Sequence, residues 1–280
     1  MTSSLDYGAG THVGLVRSNN EDNFLADPEI GLWLIADGMG GHDAGEVASQ
    51  IVRDSVYQAI RNNTPLADAI HQSHDDVKSA AEQNIGSPNM GTTIIALLSK
   101  DNFYQVAWVG DSRAYLWDPM QHHLKQLSKD HSYVQALVDS GAITPEEMST
   151  HAQKNIITQS LGVSSLDRVS VDIIEGEWAK GQKILLCSDG LSDLVSDDEI
   201  SHTIRRHHQR SNQEIVDRLI QLALDKGGQD NVTIEIISAP ENSGASQHTS
   251  GRLSPAALFG MTVAAGVAIL ALIVAGFLLN

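Results

Sequence analysis

Residues 32–46 read LWLIADGMGGHDAGE, and this stretch decides the fold and points to the site. The first five residues are all apolar, a pattern typical of a short strand buried in the core. Asp37 follows at once, and the glycines at 38, 40 and 41 leave the next turn almost without side chains. Because glycine lets backbone and bound groups approach closely, the stretch predicts a core strand that delivers a carboxylate into an open site.

Further acids stand at four other places in the chain, three of them next to an apolar run. They are Asp111 in AWVGDS, Asp189 in ILLCSDG, Asp230 in GGQDN, and the adjacent Glu21 and Asp22 in RSNNEDNF. For any single acid, an ordinary turn is the simpler explanation, since Asp and Gly are common turn residues. Five such places together favour a shared site. We expect strand ends of one sheet to bring these acids together at one edge.

Gathered carboxylates repel one another, so each raises the pKa of its neighbours. A divalent cation removes this cost, and an all-oxygen ligand set suits Mg²⁺ or Mn²⁺ rather than Zn²⁺. Two such ions bridged by one carboxylate can activate a water and neutralise charge on a phosphoryl group. The acids therefore predict a site for divalent cations.

The composition excludes some classes of partner. The chain has 280 residues and a formal net charge of −17, without a cluster of Lys and Arg. Nucleic-acid binding needs such clusters, so we expect no nucleic-acid partner. The single cysteine, Cys187, excludes an internal disulfide and lies in an apolar run, so we interpret it as a core residue.

The chain divides into three parts by composition. Residues 1–239 resemble one globular domain, residues 240–255 are a flexible linker rich in Ser and Gly, and residues 256–279 carry no charge. As a helix the last segment would reach about 36 Å, enough to cross a bilayer core of about 30 Å. We predict a transmembrane helix there, with a buried core helix as the alternative. Arg252 before the span places the preceding domain in the cytoplasm.

Strands and helices occur in separate blocks, which predicts the α+β class. Strand-like runs occupy residues 31–36, 92–99, 103–109, 113–117, 169–174, 183–187 and 231–238, and helical patterns occupy 44–61, 64–82 and 212–225. Ser196, Ser211 and Thr144, each followed three residues later by Glu, are candidate helix caps. The segment 104–117 is interpreted as a hairpin with a Gly-Asp turn.

Six motifs, in this order, resemble the bacterial branch of the PPM/PP2C metal-dependent serine/threonine protein phosphatases. They are RSNNEDNF (17–24), ADGMGGHDAGEVAS (36–49), GTT (91–93), VGDSRAYL (109–116), CSDGLSD (187–193) and GGQDNVT (227–233). The resemblance covers about residues 8–238. It implies two packed antiparallel sheets flanked by helix layers, to which the predicted transmembrane helix would be appended.

The resemblance also implies roles for individual residues in holding two Mn²⁺ or Mg²⁺ ions. Asp37 would bridge both ions, and the Gly38 carbonyl would bind one of them. Asp189 and Asp230 would complete the other, and Asp22 would act through bound waters.

Further roles follow from the same resemblance. Asp111, together with Asp189, would contribute to a third, weaker metal site. Arg17 matches the phosphate-binding arginine of the family, and a guanidinium fork suits a phosphate dianion. Members from higher organisms carry a His directly after the Asp-Gly pair, where this chain has Met39. His42 nearby is a candidate general acid, although a role at the start of the following helix is an equal alternative.

The function implied is hydrolysis of phosphoserine and phosphothreonine on proteins by a water that two metal ions activate. Arg17, Asp37, Asp189 and Asp230 would be the catalytic residues. The partners would be phosphorylated proteins, namely a Ser/Thr kinase that the enzyme counteracts at the cytoplasmic side of a membrane, and the substrates of that kinase. A non-catalytic phosphoprotein binder and a small-molecule phosphatase are the alternatives. Residues 131–162 match the flap of the family loosely and could select substrate or serve only packing.

Overall fold

A computed structural model describes residues 5–40, 44–163 and 168–243, which belong to one unit spanning residues 1–245. The strands in these ranges are β1 Tyr7–His12, β2 Asp22–Asp27, β3 Leu32–Met39, β4 Gly91–Thr92, β5 Ile94–Lys100, β6 Phe103–Val109, β7 Arg113–Asp118, β8 His123–Gln126, β9 Asp172–Glu177, β10 Lys183–Cys187 and β11 Val232–Ser238. The helices are α1 Ala44–Arg61, α2 Leu66–Glu82, α3 Tyr133–Asp139, α4 Asp189–Ser192, α5 Asp197–His207 and α6 Asn212–Asp225, with a 3₁₀ helix at Pro145–Thr150.

The strands form two antiparallel sheets. The first sheet has the order β1-β11-β10-β7-β8, and the second has the order β2-β3-β5-β6-β9, with β4 paired to β3. Every pairing is antiparallel. The predicted α+β class with two antiparallel sheets therefore fits the structure.

The position of strand β3 in the fold explains why its first five residues are all apolar. Leu32, Leu34 and Ala36 pack with the residues of α1 and α2, whereas Trp33 and Ile35 pack between the two sheets. Successive side chains of a strand point to opposite faces, so a strand in the middle of four layers buries both. Each large side chain buried in this way contributes about 1.5–3 kcal/mol.

Strand β10 and the helices behind it complete the four layers. Leu185 and Cys187 pack with α5 and α6, and Ile184 and Leu186 face the space between the sheets. Cys187 is fully buried, as expected for a core residue. The layer order is therefore helices, second sheet, first sheet, helices.

Local signals locate several helix ends well. Helices α1 and α6 match the predicted ranges 44–61 and 212–225, and α2 begins at Leu66, two residues after the predicted start. Ser211 and Ser196 accept hydrogen bonds from the backbone N–H three residues later, which caps α6 and α5. Thr144 caps the 3₁₀ helix from the position before it, and its N–H donates to Glu147 Oε2 at 2.7 Å.

The predicted hairpin over 104–117 is wrong. Strand β6 pairs with β5 and β9 in the second sheet, whereas β7 pairs with β10 and β8 in the first. Gly110 has a φ of 113°, which only glycine adopts readily, and here the chain turns from one sheet into the other. Two strands and a short turn look alike in sequence whether they pair or cross between sheets.

The prediction of a transmembrane helix, and with it of a single-pass membrane protein, is corrected. Across residues 5–40, 44–163 and 168–243, no helix has both the length and the apolar character needed to cross a bilayer. The long helices α1 and α2, of 18 and 17 residues, are amphipathic and carry charged side chains. The segment 256–279 and residues 244–255 of the linker lie outside the described residues.

Candidate metal centre

The acids come from both sheets rather than from one edge of a single sheet, which corrects that expectation. Asp22 and Asp37 are antiparallel partners on β2 and β3. Asp189 opens α4 just after β10, and Asp230 lies just before β11. Asp111 lies on the turn that crosses from β6 to β7. The acids therefore gather where the ends of the two sheets face each other.

The pKa of Asp37 shows that the acids interact with one another. Burial raises this pKa well above its ordinary value, and the negative charges of Asp22, Asp189, Asp111 and Asp230 raise it further. The pKa of Asp189 is likewise raised well above its ordinary value, first by burial and then by neighbouring acids, of which Asp111 has the largest effect. The carboxylates thus form one electrostatic cluster.

Asp22 connects the two sheets through hydroxyl groups. Its Oδ2 accepts hydrogen bonds from Ser188 Oγ at 2.8 Å and from Thr233 Oγ1 at 2.6 Å, both in the first sheet's half of the molecule. Its Oδ1 is buried without a hydrogen-bond partner among the described residues. Burial raises the pKa of Asp22 to about 6, although the two hydroxyl groups oppose the shift.

Asp111 is a second buried acid with an unsatisfied oxygen. Its side chain is buried, and within the described ranges its Oδ1 has no hydrogen-bond partner. Burial raises the pKa of Asp111 to about 7, and the negative charge of Asp130 adds to the shift. An unsatisfied buried carboxyl oxygen is costly and is free to accept a cation.

The backbone around Asp37 is held rigidly. The Asp37 carbonyl accepts hydrogen bonds from Thr93 N at 2.9 Å and from Thr92 Oγ1 at 2.8 Å, and Asp37 N donates to Thr93 Oγ1 at 3.2 Å. A Cβ atom at Gly38 would collide with backbone atoms of Gly45 and Glu21. Glycine at position 38 therefore lets the N-terminus of α1 pack directly against this turn.

Arg17 lies at the edge of the acid cluster. Its Nη2 donates to Asp230 Oδ2 at 2.7 Å, and its side chain is 54 % exposed. The hydrogen bond to Asp230, together with the charge of that carboxylate, raises the pKa of Arg17 above its ordinary value. The guanidinium is therefore permanently charged and reachable from solvent.

The donors fit a divalent cation, although the ligand shell is not closed. In the part of the chain that the structure describes, no three His, Cys, Asp or Glu side chains form a ready-made site for one ion. Asp22 and Asp111 have unsatisfied oxygens, and repulsion from neighbouring acids adds to burial in raising the pKa of Asp37; a hard cation would relieve both. All of these donors are carboxylate oxygens, which suit Mg²⁺ or Mn²⁺.

Comparison with known proteins identifies the family of the chain. The family model described as Protein phosphatase 2C matches residues 10–225. The chain belongs to this family. The predicted resemblance to the PPM/PP2C phosphatases is therefore confirmed.

Relatives within the protein phosphatase 2C family are named as serine/threonine phosphatases. PstP of Mycobacterium tuberculosis is 39 % identical over 243 residues, which cover 84 % of this chain and 45 % of that protein. Stp of Listeria monocytogenes is 34 % identical over 241 residues, which cover 81 % of this chain and 93 % of Stp. The chain thus spans less than half the length of PstP and almost all of Stp.

A solved structure of a relative contains metal. The crystal structure of the catalytic domain of PstP in complex with two manganese ions superposes with a TM-score of 0.72 at 38 % identity. The match covers 84 % of this chain and 97 % of that one. A family member of this similarity therefore binds two manganese ions in its catalytic domain.

Some residues of the centre were missed in the sequence. Asp193 raises the pKa of both Asp111 and Asp189, so it lies beside them. Its spacing of four from Asp189, one helical turn, was the available signal. The hydroxyl donors Ser188 and Thr233 carried no signal beyond lying in matched motifs, since their role depends on contact with Asp22.

The remaining predicted features are His42 and the segment 131–162. His42 lies outside the described residues, so its role as general acid stays a prediction. Residues 131–162 contain α3 and the 3₁₀ helix, and Lys154 Nζ of this segment lies 2.7 Å from Asp193 Oδ2. The segment thus reaches the edge of the acid cluster.

Proposed function

We propose that this chain is a metal-dependent phosphatase that hydrolyses phosphoserine and phosphothreonine in proteins. The observation that carries the proposal is the gathering of separate carboxylates beside a charged, exposed guanidinium. The members of this group are Arg17, Asp22, Asp37, Asp111, Asp189 and Asp230. The names of PstP and Stp, which match over more than four fifths of the chain, support the same activity.

The carboxylates would hold two ions of Mn²⁺ or Mg²⁺. Asp37 would serve both ions, the Gly38 carbonyl would bind one, and Asp189 and Asp230 would bind the other. Asp22 would act through water molecules. Bound metal supplies positive charge that activates a water and stabilises the phosphoryl group. The two manganese ions in the PstP crystal structure support this stoichiometry.

A third metal ion would bind next to these two. Asp111 would help to bind it, together with Asp189. The buried Asp111 Oδ1, which has no partner among the described residues, supports a ligand at that position.

Arg17 would bind and orient the substrate phosphate. A guanidinium presents parallel N–H donors that match two phosphate oxygens, and Arg stays charged throughout the working pH range. The exposed position of Arg17 and its contact with Asp230 support this role, because they keep the cation next to the acids. Holding the phosphate in line with the attacking water would lower the entropic part of the barrier.

Substrates of such an enzyme are products of Ser/Thr kinases. Hydrolysis of the phosphomonoester returns the hydroxyl group and releases inorganic phosphate, so the enzyme would counteract a kinase of this class. The partners we propose are therefore phosphorylated proteins, including a kinase and its substrates.

The experiment that tests the proposal is phosphate release from a phosphothreonine peptide by the full chain with Mn²⁺. We expect Asp37→Asn and Asp230→Asn to lower kcat by about 100-fold or more, because each removes a charge from the reacting centre. Asp75→Asn, which neutralises an exposed acid on α2, is the matched control and should keep full activity. EDTA should abolish the reaction.

Two results would reject the proposal. One is activity that survives either substitution, and the other is activity that persists in EDTA. A non-catalytic phosphoprotein binder would bind the peptide in calorimetry without releasing phosphate, so the same samples distinguish it.

A further inference from the structure

Two large apolar side chains stand in solvent directly before Arg17. Leu15 is 65 % exposed and Val16 is 69 % exposed, and among the large apolar side chains that the structure describes only Met120 is more exposed. One exposed apolar side chain is common on any protein surface. Two in succession are less usual, and Leu15 and Val16 directly precede Arg17, the group that would bind the substrate phosphate.

The backbone that carries this apolar pair, Leu15 and Val16, is fixed. Leu15 N donates to Gly228 O at 2.7 Å. The side-chain amide of Asn231 donates to Val13 O and to Asn19 O, both at 2.9 Å, and so ties the segment on each side of the pair. The exposed side chains are therefore presented from a rigid segment.

The base of the apolar pair also packs on glycine. A Cβ atom at Gly228 would lie 3.0 Å from Leu15 Cγ and 3.0 Å from Leu224 Cδ2. The left-handed φ of 48° at Gly228 brings its backbone under the Leu15 side chain. Leu15 is thus positioned at its base while most of its surface stays in contact with water.

The apolar pair lies within reach of a substrate held at Arg17. Neighbouring Cα atoms are about 3.8 Å apart, so the Cα atoms of Val16 and Leu15 lie within about 8 Å of the Arg17 Cα atom. A phosphorylated residue whose phosphate contacts the guanidinium places its own sequence neighbours at similar distances. The side chain next to the phosphorylated residue can therefore cover the apolar pair.

We propose that the apolar pair is a docking surface for a bulky apolar residue adjacent to the phosphorylated residue of the substrate. This inference rests on the proposed function, because Arg17 must hold the substrate phosphate. Covering Leu15 and Val16 with an apolar side chain removes both surfaces from water, which favours binding. The net charge of −17 would by itself favour basic peptides, so the apolar pair makes a different and separable prediction.

The test compares phosphothreonine peptides that differ only in the two residues flanking the phosphothreonine, which are leucine, serine or lysine. We measure kcat/KM for the full chain with Mn²⁺, for the double variant Leu15→Ser/Val16→Ser, and for Met120→Ser as the control. Met120 is an equally apolar, 87 % exposed residue on the turn between β7 and β8. We expect the unmodified chain and Met120→Ser to prefer the leucine peptide over the serine peptide about fivefold.

The leucine-to-serine ratio should fall to about one in the double variant. A ratio near one in the unmodified chain overturns the inference, as does a ratio that the double variant leaves unchanged. A lysine peptide that is the best substrate of both proteins also overturns it, since the acidic surface would then select the substrate.

Hydrolysis of p-nitrophenyl phosphate, which has no flanking residues, separates this inference from the proposed function. Its Mn²⁺-dependent cleavage by the double variant shows that the variant is folded and that the reacting centre works. Absence of this cleavage in the unmodified chain would overturn the proposed function, and the inference with it. Cleavage without discrimination among the peptides overturns the inference alone.

Discussion

Glu235 is a buried carboxyl whose replacement should stabilise the protein. It lies in the middle of β11, where it pairs with Ala9 of β1 and Leu186 of β10. Its side chain is fully buried, and neither Oε1 nor Oε2 has a hydrogen-bond partner in the described part of the chain. Burial raises the pKa of Glu235 well above its ordinary value of 4.5. Folding therefore buries a carboxyl group without hydrogen-bond partners in the first sheet, and this environment favours its protonated form.

We expect Glu235→Met, an unbranched apolar replacement of similar length, to raise the free energy of unfolding. Removing a buried polar group that lacks partners is worth about 2 kcal/mol, or about 4–8 °C in Tm. Because the folded-state pKa is raised, the contribution of Glu235 to stability is most favourable below pH 4.5 and is lost as pH rises through the folded-state pKa. The advantage of the variant should thus grow by up to about 1.4 kcal/mol per pH unit in that window.

The assay is urea denaturation followed by circular dichroism, in EDTA, at pH values between 5 and 8. Glu235→Gln is the charge control, since its amide stays unsatisfied but cannot ionise. It should share the pH dependence of Glu235→Met without the full gain at pH 5. Glu29→Met, at an exposed loop position, should change stability by less than about 0.5 kcal/mol. A Glu235→Met protein that is no more stable than the original, or whose advantage does not change with pH, would refute the reasoning.

Three further predictions concern the metal centre. Arg17→Lys should lower kcat/KM for a phosphopeptide by about tenfold or more, because an ammonium lacks the guanidinium fork. The Mn²⁺ affinity of this variant, measured by calorimetry, should stay within about threefold of that of the unmodified chain. Full activity of the variant would contradict the role of Arg17. Gly38→Ala should lower the free energy of unfolding by about 3 kcal/mol in urea denaturation, because its Cβ meets the Gly45 backbone, and an unchanged midpoint would argue against that contact. Mn²⁺ affinity measured by calorimetry should weaken as pH falls from 8 to 5. The reason is that protons compete with the metal for Asp22 and Asp111, whose pKa values are about 6 and 7. An affinity that does not change with pH would be inconsistent with these buried acids.

Helices and their ends were accessible from the sequence because their signals are local. The apolar spacing in α1 and α6 repeats within a few residues, and Ser211 caps α6 through a contact three residues away. Strands β1, β2 and β8 gave no comparable pattern. Strand β1 reads YGAGTH and is a strand because β11 pairs with it, more than 200 residues later in the chain. The residues of β1 alone therefore do not predict that it is a strand.

The acid cluster shows the same division. The identities of Asp22, Asp37, Asp111, Asp189 and Asp230, and their positions beside strands, were readable from the chain, and so was the chemistry of all-oxygen metal binding. Their arrangement between the ends of two sheets was not, because the turn at residues 110–112 looks like a hairpin and is a crossing. The hydroxyl contacts to Asp22 were also invisible, since they join segments that lie far apart in the sequence.

The sequence by itself determined the family, the α+β class, the main helices and the kind of ligand that the acids favour. These properties depend on residue types and on spacings of a few residues. Only the tertiary structure decided which sheet each strand joins, which oxygens stay without partners, and that Leu15 and Val16 are exposed beside Arg17. Those properties arise from contacts between distant segments, whose energies depend on packing in three dimensions.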